Sequence, residues 1–163
     1  ERDSLRTHPN CEARINLLKD SIGQTTGGKQ FLVNEIYFNQ LKEEFFAEIA
    51  EQEFRNDNLA GNLYNVLLML QNGKYIPLAV YSIVRDLNIL YERQKNHELG
   101  DIDKESRQYP ADYNLLLRMI DRWRLEEIAA ITYYLCKKYE LQMTGYEDFS
   151  VEMSKARENL LNH

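Results

Sequence analysis

Apolar residues recur in this chain at intervals of three and four, over most of its length. Cys11, Ile15, Leu18 and Ile22 form one ladder, and Phe38, Leu41, Phe45 and Ile49 a second. Leu59, Leu63, Val66 and Leu70 form a third, and Ile76, Val80, Ile83, Leu87 and Leu90 a fourth. Side chains three or four apart share one face of an α-helix, whereas a strand places its apolar residues two apart. The pattern predicts an all-α fold. We expect a single helical domain over 1–163, a bundle of about six to seven antiparallel amphipathic helices.

Turn-forming residues divide the ladders. Pro9 and Gly23 frame a first helix, and a glycine-rich loop follows over 23–30. A second helix runs from Asn34 to Arg55 and is broken by Asn56-Asp57-Asn58. The third covers about 58–72, closes at Asn72-Gly73, and is apolar on most faces, so it is expected to be the central, most buried helix. Pro77 opens a fourth helix reaching His97, and the short link makes helices three and four an antiparallel hairpin. Glu98 to Tyr109 is polar and is read as the longest and most mobile loop. Pro110 begins a fifth helix. A break near 121–124 is expected, because Glu126-Glu127 and Lys137-Lys138 suit the two ends of a sixth helix over about 122–139. Thr144 with Glu147 has capping-box spacing, with Asp148 an alternative cap, and a last helix carries Phe149, Met153, Ala156 and Leu160.

Composition narrows the class. An apolar share of 44% is ordinary for a folded globular chain. The net charge of -6 excludes a surface that is basic throughout, so wholesale electrostatic trapping of nucleic acid is not expected. No apolar run is long enough to span a membrane, and the charged start lacks a signal-peptide core. Two distant cysteines read as free, buried thiols, which favours a reducing, cytoplasmic setting.

Sites for chemistry are hard to find. The residues three before each histidine are Leu5, Gln94 and Leu160, so no di-metal Glu-x-x-His pair exists. Asp101, Asp103 and Glu105 have the alternation of a calcium loop, but Ser106 stands where its glycine is required. Gly23 and Gly28-Lys29 approach a phosphate loop, but Gln30 replaces the metal-binding hydroxyl and a helix precedes in place of a strand. No metal or cofactor is therefore expected. Arg157 and His163 have five residues between them. In this they resemble the arginine–histidine pair of HEPN-type RNA-cleaving helical domains. The resemblance covers these two residues alone; it implies a proton moved by His163 and phosphate charge stabilised by Arg157.

Two surfaces remain. Arg118, Arg122, Trp123 and Arg124, with Lys137 and Lys138, are candidates for nucleic-acid contact, and residues 149–162 for the second helix of a helix-turn-helix-like regulator. Glu44, Glu48 and Glu51 form an acidic helix face, and Tyr133 with Tyr134 offers amphipathic contact area. The leading expectation is a non-catalytic protein–protein interaction domain, regulatory and adaptor- or inhibitor-like. Its partner is expected to be another protein or a second copy of the chain.

Overall fold

The computed structural model describes residues 34–99, 102 and 104–162, with Glu35, Lys42 and Glu43 described by backbone alone. The helix expected over 9–23, the glycine loop, His8 and His163 lie outside the described residues, as do Asp101 and Asp103. The chain divides into two units between Asn39 and Gln40, and the bundle is built within the second, Gln40–His163. The expectation of one domain over 1–163 thus extends over residues that are not described.

The described residues form α1 (Glu35–Arg55), α2 (Leu59–Gln71), α3 (Ile76–Lys95), α4 (Ala111–Arg122), α5 (Leu125–Tyr139) and α6 (Glu147–Leu161). No strand occurs among them, and the all-α bundle expected from the ladders is the observed fold. Local chemistry explains the boundaries. Asn34 caps α1 by accepting from the Ile36 amide at 2.9 Å. Asp57, at φ 61°, ends the reversal after α1, and the Asn58 amide closes it onto the Glu53 carbonyl at 2.9 Å. Asn58 then caps α2, its Oδ1 accepting from Gly61 N at 3.0 Å while its Nδ2 donates to Glu53 Oε2 at 2.7 Å. One side chain therefore joins the end of α1 to the start of α2. A Cβ on Gly61 would lie 2.5 Å from that Asn58 nitrogen, so any larger residue there displaces the Asn58 side chain from its capping position. Gly73, at φ 66°, ends α2, and Pro77 lies in the first turn of α3, giving the expected hairpin.

The break between α4 and α5 falls where the charges place it. Trp123 and Arg124 are extended, and Arg124 N donates to Glu127 Oε2 at 2.9 Å. Two boundaries differ from expectation. α3 stops at Lys95 because His97 takes a left-handed conformation, φ 62°. α6 starts at Glu147 behind Tyr146, because the Thr144 hydroxyl is committed to the Leu141 carbonyl at 3.0 Å, closing a 3-10 turn over Glu140–Met143. The expected loop over 98–109 is held at one end: Ser106 N donates to Asn114 Oδ1 at 3.0 Å and Asn114 Nδ2 returns to Ser106 O at 2.8 Å.

The centre of the bundle is α3, not α2. It packs against α2, α5 and α6. Ile83, Leu87 and Leu90 join Leu63, Val66 and Leu117 in the main core, while Val80 and Val84 join Cys136, Phe149 and Ala156 in a second. The sequence points to α2 because α3 also buries Ser82, Asp86 and Asn88, which read as surface. Among the described residues α1 is the most lightly attached helix. It meets the core through Phe46, Ala47 and Ala50, near its C-terminal half.

Candidate functional site

α1 carries two apolar faces. Phe46, Ala47, Ala50 and Phe54 turn toward the bundle. The ladder that includes Phe45 and Ile49 does not: these are 58% and 44% exposed. At ~100° per residue the outward stripe lies roughly 130° around the helix from the packed one. The expectation that Phe38, Leu41, Phe45 and Ile49 mark packed interior is thus corrected. Leu41 is half-buried, and Phe38, Phe45 and Ile49 are exposed.

Glu44, Glu48 and Glu51 stand beside the outward stripe, all exposed. Glu51 accepts from Arg55 Nε at 3.4 Å, an exposed pair of small energetic value. Between α1 and α3 the surface dips into a groove of about 550 Å³. Small residues, Ala47, Ala50 and Ser82, allow the approach; Leu78 supplies apolar lining, and the charge comes from Glu48, Glu51 and one cation, Arg55, which pairs with Glu51. The acidic face expected from sequence therefore borders an exposed apolar one. Tyr133 and Tyr134 sit elsewhere, on α5. Tyr133 is half-buried against the second core and Tyr134 is 64% exposed.

The basic candidates separate into two groups. Arg118 donates to Glu105 Oε2 at 3.1 Å. Arg118, Arg122 and Trp123 line a shallow groove with Glu127, and Trp123 is half-buried on the main core. The Trp123 carbonyl accepts from Gln94 Nε2 at 2.6 Å, which fixes the break before the exposed Arg124. Lys137 is paired with Glu140, and Lys138 lies over the Tyr139 ring at 5.3 Å. The hydrogen bond to Glu140 pushes the Lys137 pKa upward. Arg124 and Lys137 are separated by ~20 Å of helix at 1.5 Å per residue, so the six candidates do not make one patch. Arg157 is exposed on α6.

A second constellation escaped the sequence reading. Asp86, at the middle of α3, is 0% exposed. Asn62 Nδ2 donates to its Oδ2 at 2.7 Å, and Arg85 Nε reaches its Oδ1 at a long 3.4 Å. Burial pushes the Asp86 pKa from 3.8 up to about 7; Arg85 and Asn62 oppose the rise and Glu152 adds to it. Asn62 Oδ1 has no hydrogen-bond partner. On the α6 side, Asn88 Nδ2 donates to both the carbonyl and Oε2 of Glu152, at 2.9 and 2.8 Å. Lys155 holds Glu152 Oε1 at 2.6 Å, and Asn159 Nδ2 donates to Asn88 Oδ1 at 3.3 Å. The central carbon of the Arg85 guanidinium lies over the Phe54 ring of α1, 3.2 Å from its centroid. Asp86 is sealed from solvent, so in this conformation it meets no substrate. The network is an internal link between α1, α2, α3 and α6.

No protein family, curated protein or solved structure matches the chain. No described helix is long and apolar enough to cross a membrane, and no described group of three or more His, Cys, Asp or Glu side chains is placed to hold a metal ion.

Proposed function

We propose that the bundle is a protein-interaction module whose outward α1 face, with the adjoining α1–α3 groove, receives an amphipathic helix bearing basic residues beside its apolar stripe. The observation that carries this reading is the exposure of Phe45 and Ile49 next to Glu44, Glu48 and Glu51. An apolar stripe exposed on a helix already packed on its other side is a surface for a partner. The acidic border selects the partner's charge and rejects an acidic competitor. In this reading the protein is a regulatory, adaptor- or inhibitor-like domain acting by occupancy. A reducing, cytoplasmic setting suits the free thiol of Cys136.

The test uses two synthetic helices of equal length with identical leucine stripes, one flanked by lysine and one by glutamate, titrated in a fluorescence-anisotropy assay. The lysine-flanked peptide should bind, and more weakly as salt rises. Phe45→Ser with Ile49→Ser should abolish binding while leaving the circular dichroism unchanged. Charge reversal of Glu44, Glu48 and Glu51 should transfer preference to the glutamate-flanked peptide. Equal affinity for both peptides, or binding that survives the serine pair, refutes the assignment.

A further inference from the structure

We infer that Asp86 is a proton switch for the seating of α1, acting through the Arg85 guanidinium that stacks on Phe54. This goes beyond the proposed docking role and holds whatever partner α1 receives. The geometry has three parts. Asp86 lies wholly inside, with one amide donor from α2 and one long contact from Arg85. Arg85 is pinned between that carboxylate and the face of Phe54, with the Tyr81 ring farther off at 5.5 Å. Phe54 belongs to the helix that, among the described residues, is attached most lightly to the bundle, so a change at this one stack is felt there first.

The orphaned Asn62 oxygen explains how the neutral acid is accommodated. With Asp86 ionised, the Asn62 amide donates and Arg85 is held by charge. With Asp86 protonated, one oxygen still accepts from Asn62 Nδ2 while the O–H becomes a donor, for which the unpartnered Asn62 Oδ1 is the acceptor at hand. Arg85 then loses the charge that orients it. Arg85 and Phe54 both line a cleft of about 620 Å³ beside α6, so a released guanidinium has water to move into. The charges acting on Asp86 are Arg85 on its own helix and Glu152 on α6; α2 presents the uncharged Asn62, and no charge of α5 is among them. Lys155 holds Glu152, and Phe54 is what α1 contributes. Titration of Asp86 falls near neutrality, within reach of ordinary changes of medium.

The experiment is hydrogen exchange on the full chain, read by mass spectrometry as protection factors at about pH 5 and about pH 8, so that the intrinsic pH dependence of exchange cancels. Amides in the second half of α1 should lose roughly threefold to tenfold of their protection at the lower pH, the range a cation–π contact supplies. Amides of α3 should keep or gain protection. In Asp86→Asn, α1 should show the low protection at both pH values. Phe54→Leu, which keeps apolar bulk and removes the ring, should do the same. Equal α1 protection at both pH values in the wild-type chain overturns the inference, as does a pH effect that persists in Asp86→Asn. Should Asp86→Asn fail to fold, persistence of the effect in Phe54→Leu decides the question in the same sense.

Discussion

Replacing Asp86 by asparagine should stabilise the bundle at neutral pH and above. In the unfolded chain an aspartate releases its proton near 3.8, whereas burial holds the folded-state value at about 7. The folded state therefore binds this proton more tightly than the unfolded one. Its stability is greatest below the unfolded value, falls as pH climbs from there toward 7, and levels off above. The difference corresponds to roughly 4 kcal/mol, at ~1.4 kcal/mol for each tenfold in proton affinity. The substitution recovers only part of this, because an amide also loses hydration on burial and Arg85 loses its partner. It has a compensating contact, however. An asparagine at 86 accepts from Asn62 Nδ2 and offers an N–H to the orphaned Asn62 Oδ1. We expect a gain of about 1–3 kcal/mol at about pH 8 and none near pH 4, from urea unfolding with an unchanged denaturant slope. The difference between the two proteins should open by at most ~1.4 kcal/mol for each pH unit between those limits. A variant no more stable than wild type at the higher pH, or a difference that does not vary with pH, refutes the linkage. The sign is opposite to that expected for α1: acid strengthens the bundle as a whole while it loosens α1.

Three further outcomes follow from named contacts. Gly61→Ala should cost about 1–2 kcal/mol in thermal melts although alanine is the better helix former by ~1 kcal/mol, because its Cβ displaces the Asn58 cap. Asn88→Ala should lower the urea stability by about 2–3 kcal/mol, since it strips a donor from the buried Glu152 carboxylate and an acceptor from Asn159. Burial pushes the Cys136 thiol up to about 12, so iodoacetamide at about pH 8 should leave it unlabelled in the folded protein and label it fully in urea, as peptide mapping will read.

Local signals in the sequence were read well where one residue type has one physical use. Asn72-Gly73 and Pro77 marked the α2–α3 hairpin because a left-handed exit and a fixed φ leave few alternatives. Glu126, Glu127, Lys137 and Lys138 marked both ends of α5 because the helix dipole rewards those signs at those places. Thr144 misled because a hydroxyl serves a cap and a 3-10 closure equally well, and only the neighbouring Leu141 carbonyl decided between them. The paired residues of the central network gave no local sign. Asn62 and Asp86 are 24 apart in sequence, Asn88 and Glu152 64 apart, and neither pairing has a spacing to recognise.

The two larger misreadings, of α1 and of α3, have one cause. A helical period reports which side chains share a face; it does not report what covers that face. On α1 the period of Phe38, Leu41, Phe45 and Ile49 is sound, but the bundle takes the face bearing Ala47 and Ala50, where small side chains allow close approach. On α3 the Asp86 carboxylate and Asn88 amide that look solvated are enclosed by Asn62 from one side and Glu152 from the other. Burying a carboxylate this way costs more than an apolar residue in its place. A contact that only stabilised the fold would be better made by leucine. Through Arg85, Asp86 joins a titratable group at the centre to Phe54 on the helix that also carries the exposed stripe, so the polar interior and the apolar exterior meet on α1.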